Sequence, residues 1–385
     1  MKQTSIVTLL ITTVIVLAFG WVSGFTIQKG IEFARGNVSF ASITSLFDRF
    51  GSQKATVTDA VNEPESKPAP AFIPDSNELS IVIGGDIMFD RNIRMMGQRN
   101  GYDSLFDSNL VSLFKSADIA VANLEGPVTS QPSKTLVNGQ TTKTLMFTFA
   151  TTTAETLANI GIDIVSLANN HTDNFLAAGY TETQRWLSRA HVEWFGNPWN
   201  GTTSTLRRKS AEEIANEDSF GTQQNSPITT FVRKNGITVA FVGYHAFQTG
   251  IDKVILEIKR TAGPDVFTIV MPHWGEEYTN KPSERQKAQA VAFALAGADA
   301  IIGAHPHVVM ANEWIDGIPV YYSLGNLLFD QYFSSAVMKG QVAELKLIKN
   351  ETGISLEKLT IHNVETVRNQ GVRLIVPTTT DQTRN

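Results

Sequence analysis

The chain has 385 residues, 42% of them hydrophobic, enough for one large α/β domain or two smaller ones with a well-buried core. A formal net charge of -5, with no local run of Lys and Arg, excludes a basic face for nucleic acid. The sequence contains no cysteine, which excludes disulfides, thiolate catalysis and Cys-ligated metals, so any metal must be held by nitrogen and oxygen.

Residues Ile6 to Ile27 form an uncharged apolar run, long enough for a membrane-crossing helix, which needs about 20 residues. An uncleaved anchor over residues 1–28 is expected. A signal peptide cleaved at the small-x-small site Ala18-Phe19-Gly20 is the competing reading. The default orientation for one leading span puts the amino terminus inside and the bulk of the chain outside. Residues 29–77 read as a juxtamembrane segment followed by a tether that includes Pro64-Glu65-Ser66-Lys67-Pro68-Ala69-Pro70.

A folded domain is predicted over residues 78–376. Its first strand, Leu79 to Gly84, runs into Gly85-Asp86-Ile87-Met88, with Arg91 a turn later. A second, Ile119 to Ala122, ends at Asn123-Leu124-Glu125. A helix from Ala154 to Asn159, stopped by Gly161, leads to a third strand, Ile162 to Leu167, which ends at Asn169-Asn170-His171-Thr172-Asp173. A helix from Ala177 to Arg189 and a short strand from His191 to Phe195 follow.

Residues 201–227 lose hydrophobic periodicity and read as a surface insertion. Ile228 to Val232 and Ile237 to Val242, flanking Lys234-Asn235-Gly236, predict a hairpin. The strand Val266 to Met271 ends on Pro272-His273-Trp274-Gly275-Glu276-Glu277-Tyr278. A helix opened by a Ser283/Gln286 capping box stops at Gly297. The apolar run that follows ends at Gly303-Ala304-His305-Pro306-His307, where Pro306 biases His305 towards extended backbone. Strands are predicted at Pro319 to Ser323, Val342 to Leu347 and Leu356 to Val364, and residues 377–385 read as a loose tail.

Ligands of open α/β folds bind beyond the carboxyl ends of strands. Five strands here end on Asp86, on Glu125, on Asn170 with His171, on His273, and on His305 with His307. Carboxylate, amide oxygen and imidazole together suit Mn, Fe or Zn better than an all-oxygen calcium site. His191, His245 and His362 are single histidines and read as structural. Arg91 has two readings, an anion-binding residue or the partner of a neighbouring carboxylate. No Gly-x-Ser-x-Gly, Gly-x-Gly-x-x-Gly, Walker or His-Glu-x-x-His motif is present.

The segments Gly85-Asp86-x-Met88-x-x-Arg91, Asn123-Leu124-Glu125, Asn169-Asn170-His171, His273-Trp274-Gly275-x-Glu277-Tyr278, Gly303-Ala304-His305-Pro306-His307 and Tyr322-Ser323-Leu324-Gly325-Asn326 closely resemble the CapA family. These are bacterial capsule and poly-γ-glutamate synthesis proteins whose domain is similar to calcineurin-like metallophosphoesterases. The resemblance covers roughly Glu78 to Val364. It implies a metallophosphatase-like four-layer α/β/β/α sandwich on a single-pass anchor in a bacterial cell membrane, with the domain outside.

The resemblance further implies one or two divalent ions. Asp86 would bind the first, Glu125 would bridge, Asn170, His273 and His305 would complete one shell, and His307 would serve the other. His171 would protonate a leaving oxygen, and Asp173 would hold its imidazole charged. Met88 departs from the phosphoesterase pattern, which has a histidine there, so a single tightly held ion is a distinct outcome. Two functions follow as expectations. One is a capsule or poly-γ-glutamate synthesis or export component that binds an anionic envelope polymer, within a membrane synthase complex. The other is an extracellular metal-dependent phosphoesterase, or another hydrolase of an envelope polymer.

Overall fold

The computed structural model describes residues 77–197, 223–226, 228–375 and 380–382. The expected anchor and tether, residues 1–76, lie outside them, as does most of the expected insertion. No helix among the described residues is long and apolar enough to cross a membrane.

In chain order the domain begins with β1 (Glu78–Ile87), α1 (Arg91–Asn100), α2 (Ser108–Ser116), β2 (Ile119–Leu124), and the small hairpin β3 (Leu136–Val137) and β4 (Gln140–Thr141). It continues through α3 (Thr153–Asn159), β5 (Ile164–Ser166), α4 (Leu176–Arg189), β6 (Glu193–Phe195), β7 (Gln223–Ser226), β8 (Thr229–Lys234) and β9 (Ile237–His245). Next come α5 (Ile251–Thr261), β10 (Val266–His273), α6 (Glu284–Ala296), β11 (Ala300–Ile302), β12 (Asn312–Ile315) and β13 (Ile318–Tyr321). The chain closes with β14 (Asn326–Leu328), β15 (Lys339–Asn350), β16 (Gly353–Val367), β17 (Gly371–Leu374) and β18 (Thr380–Gln382).

Two mixed sheets result. The first runs β17-β16-β15-β1-β2-β5-β6, with β14 also paired to β1 and β18 to β16; the second runs β12-β13-β11-β10-β9-β8-β7. Period-2 alternation decides which residue faces which layer. Leu79, Ile81 and Ile83 of β1 and Ile119 and Val121 of β2 pack with Val239 and Phe241 of β9 and Ile269 and Met271 of β10, which fills the space between the sheets. The alternate residues Val82, Ala120 and Ala122 face a cluster that includes Leu110 and Phe114 of α2 and Leu187 of α4. Val242, Tyr244 and Val270 face Val254 and Ile258 of α5 and Phe293 of α6. Each side chain fully buried in these clusters contributes about 1.5–3 kcal/mol, and together they pack the sheets against one another and against the helices.

Local chemistry sets the joints. Asn235 (φ 53°) and Gly236 (φ 73°) turn the antiparallel β8–β9 hairpin. The capping box at α6 is present, and Gly297 ends the helix at φ 105°. Two sequence expectations need correction. Residues 223–226, placed in the insertion, form the edge strand β7 against β8. Residues 380–382, placed in the tail, pair with Leu359 to Ile361 of β16.

Candidate metal centre

Every candidate ligand leaves the carboxyl end of a strand on the same rim. Asp86 closes β1 and is held by the β14 neighbour in two ways: its Cα partners that of Asn326, and its N–H donates to Gly325 O at 3.1 Å. Gly85 has to be glycine, because a Cβ there would stand 1.9 Å from Gly325 O. Glu125 follows β2 and donates its N–H to Ile87 O at 2.9 Å. His273 ends β10, where Ala304 N–H bonds Pro272 O and Trp274 N–H bonds Ala304 O, so the ends of β10 and β11 are locked together.

Two groups of donors converge, Glu125 with His273 and His305, and Asp86 with Glu125 and His307; within each group the donor atoms lie within 4.8 Å of one another. Glu125 is common to both. Its Oε1 stands 3.6 Å from His307 Nε2, 3.9 Å from His273 Nε2 and 3.9 Å from His171 Nε2. His305 Nδ1 is 3.1 Å from His273 Nε2, and Asn170 Oδ1 is 2.8 Å from that same nitrogen. Asn123, which the sequence reading assigned no role, donates its amide to Asp86 Oδ1 at 2.7 Å and lies 3.3 Å from His273 Nδ1, tying the two groups together.

The donor set fits a divalent cation on one decisive point. Both carboxylate oxygens of Glu125 are fully buried and accept no hydrogen bond among the described residues. A buried carboxylate left in that state is strongly unfavourable unless something charged completes it. Burial pushes the Glu125 carboxyl well above its usual range; His307 offsets part of this, and Asp86 and Glu277 add to it. Burial likewise holds the imidazoles of His273, His305 and His171 down, the last two to about 4, so all three are neutral at pH 7 with lone pairs available. His307 is the exception. Burial opposes its charge, but the Glu125 and Asp86 carboxylates overcome this and push it up to about 9.

The backbone at the histidine pair is not the extended one that Pro306 favours. His305 has φ 97° and His307 φ 59°, a region costly for residues with a Cβ. The His305 N–H is thereby aimed at Asp86 Oδ2, 3.1 Å away, a hydrogen bond that links the two donor groups and offsets the strain.

Around these donors, the sequence-predicted residues divide. His171 joins the site, packed on Phe147 with ring centroids 4.3 Å apart. Asp173 does not reach it. The Asp173 carboxylate accepts from Gln248 Nε2 at 3.0 Å, and the atom beside His171 Nδ1 is Asn174 Oδ1, 3.2 Å away. Because Asn174 Oδ1 also accepts from Phe147 N–H at 2.7 Å, its oxygen is identified, and His171 carries its proton on Nδ1. Arg91 pairs with Asp330 while its guanidinium lies over Phe147 (5.1 Å) and Phe329 (5.5 Å). Met88 turns its sulfur onto Asp90 N–H, 2.9 Å away, and leaves the site.

Trp274 is wall rather than binding surface, fully buried between Phe293 and Tyr322. Tyr278 stacks on His307 and stays half exposed at the mouth. Among the described residues no other cluster of three or more metal-competent side chains meets at such distances.

A family model described as bacterial capsule synthesis protein PGA_cap matches residues 80–331, the span that carries every one of these donors. The chain belongs to the PGA_cap family. Capsule biosynthesis protein CapA of Bacillus anthracis is 28% identical over 282 residues, covering 68% of this chain and 62% of that protein. PGA biosynthesis protein CapA of Bacillus subtilis is 27% identical over 293 residues, covering 71% of this chain and 69% of that one. The chain thus spans less than two thirds of the first of these relatives. Among solved structures, the calcineurin-like phosphoesterase YfkN of Bacillus subtilis matches at TM-score 0.38 and 16% identity, covering 74% of this chain and 90% of that one. NAD nucleotidase (NadN) of Haemophilus influenzae matches at TM-score 0.35 and 12% identity, covering 78% and 60%.

Proposed function

We propose that this PGA_cap protein takes part in making or exporting an anionic capsule polymer of the poly-γ-glutamate type, through a metallophosphatase-like centre of one or two divalent ions on the rim of a four-layer domain. The observation that carries this reading is Glu125, whose two buried oxygens accept no hydrogen bond among the described residues yet face histidines on two sides. Asp86, Glu125 and His307 would hold one ion; Glu125, His273, His305 and Asn170 would hold the other. With Met88 turned away, the first set has three protein donors and leaves room for a carboxylate or phosphoryl oxygen from the polymer or a phosphoester.

Divalent ions held by such donors supply Lewis-acid polarisation of a carbonyl or phosphoryl oxygen. The chain's own groups do the rest. His171, neutral and with Nε2 free on the Glu125 side, is placed to receive or return a proton at that nitrogen. Phe147 and Phe329 wall the site and exclude water, and the Arg91 guanidinium that rests on them presents positive charge near its mouth. A second reading, a metal-dependent hydrolase of a phosphoester or envelope polymer acting outside the cell, is favoured by this retained His171. Membrane attachment through residues 1–28, an outward-facing domain and association with a membrane synthase belong to the same proposal and are supported by the sequence pattern alone.

The test uses the full-length protein. Metal-loaded wild type and His171→Ala are compared for cleavage of aryl phosphodiesters and for binding of poly-γ-glutamate. Polymer binding without turnover supports the assembly role, metal-dependent turnover lost in His171→Ala supports the hydrolase, and absence of both overturns the proposal.

A further inference from the structure

One buried imidazole near the centre is used by none of the roles above. His245 ends β9, directly in register with His273 of β10, and its ring is 6.4 Å from that of His273. It is 1% exposed, and neither ring nitrogen has a hydrogen-bond partner among the described residues. Its surroundings do not explain this. Phe247 packs edge-on against it at 5.7 Å, and Asp173, whose charge reaches it, is bonded by Gln248.

The backbone after His245 is fixed by its carbonyl, which accepts from Gln248 N–H at 3.1 Å and Thr249 N–H at 2.7 Å. The same turn lays the half-exposed Phe247 edge-on against His305, with centroids 4.7 Å apart. The segment therefore forms one wall of the metal centre, with the His245 ring nitrogens unpaired among the described residues and the Phe247 ring half exposed to solvent. A buried imidazole with both nitrogens idle is unfavourable, and beside a functional site such a group is completed by a bound ligand, water or ion. An imidazole offers an N–H donor in either protonation state.

We propose that His245 is a substrate-contacting residue whose N–H binds an oxyanion oxygen, phosphoryl or carboxylate, of the ligand held at the metal centre, while Phe247 covers the adjoining apolar part. The N–H requires an acceptor; neither the imidazoles of His171 and His273 nor the Asp173 carboxylate, which takes the Gln248 amide, is hydrogen-bonded to it. This rests on the proposed metal centre, and the experiment separates the two.

Zinc-loaded full-length protein with 15N-labelled histidine is titrated with inorganic phosphate in one arm and a γ-linked glutamate trimer in the other. The expected result is a shift of the His245 ring nitrogens in at least one arm, and about tenfold weaker binding of that probe in His245→Ala with zinc content unchanged. His245→Asn, which keeps an amide donor, should recover part of the affinity; this also covers the case in which the alanine variant folds poorly. The arm that responds identifies the oxyanion as phosphoryl or carboxylate. Ring signals indifferent to both probes, or a loss of zinc in either variant, would overturn the inference. Wild-type protein that binds no zinc would instead overturn the metal centre itself.

Discussion

The Nδ1 atom of His307 lies 2.9 Å from the amide oxygen of Asn326, and this contact decides which ring nitrogen faces Glu125. Asn326 cannot be flipped, because its Nδ2 donates to Val337 O at 2.8 Å and to Gln331 Oε1 at 3.1 Å. His307 therefore keeps a proton on Nδ1 and turns Nε2 towards Glu125, the arrangement a metal-ligating histidine needs. Asn326 is also the β14 partner of Asp86, so one residue positions donors on two segments.

Replacing Asn326 should accordingly weaken metal binding without removing a ligand. Asn326→Leu is expected to lower metal affinity about 10–100-fold, read by competition with a chromogenic chelator. His307→Ala should lower metal stoichiometry itself, and wild-type stoichiometry in that variant would remove His307 from the ligand set.

Metal uptake should release protons at neutral pH. In the metal-free protein His307 stays charged up to about 9, so binding through its Nε2 must displace a proton. Calorimetry in buffers of different ionisation enthalpy at pH 7 should report release of at least one proton, with affinity rising as pH is raised towards 9. Affinity independent of pH across that interval would contradict the assignment.

Acid acts in the opposite sense on the other histidines. The folded-state pKa of His305 is lowered from 6.5 to about 4, so the unfolded chain binds a proton that the fold refuses. Its contribution to stability is therefore intact above 6.5 and lost as pH falls towards 4; Glu125, shifted upward, offsets part of this by taking up its own proton. Comparing His305→Asn with wild type isolates the histidine. Between pH 6.5 and 4 the metal-free variant should lose less stability by up to roughly 3 kcal/mol, measured by urea unfolding.

The group that orients His171 is Asn174, not the neighbouring acid. If the protein turns over a phosphodiester, Asn174→Leu should lower kcat while Asp173→Asn leaves it nearly unchanged, and metal content should be constant in both. The reverse order would restore Asp173 as the partner of His171.

Much of the centre was legible because each apolar run in the sequence is cut off by a polar motif. Strand ends can be read from such boundaries, and Asp86, Glu125, His273, His305 and His307 all stand at them. Partnerships were less legible. Asn174 wins over Asp173 because Phe147, 27 residues earlier in the chain, donates to its oxygen, a contact that spacing does not reveal. The pairing of β9 with β10, which sets His245 beside His273, is likewise a contact that spacing does not reveal.

Helices α1 and α5 escaped sequence reading for local reasons. Gly97 interrupts α1, where it makes room for the Tyr102 ring, and the β-branched Val254, Ile255 and Ile258 lower the helix propensity of α5, which is held instead by burial of Val254 and Ile258. At His305 the preference imposed by Pro306 was overridden by the Asp86 hydrogen bond.

Crystals of the full-length protein grown with Mn, Fe or Zn and measured at each metal's absorption edge provide the most direct test. The prediction is an anomalous peak about 2.0–2.2 Å from a Glu125 oxygen, flanked by His273 and His305, by Asp86 and His307, or by both pairs. A map with no peak beside Glu125, or with its peak on another face of the domain, would contradict the account.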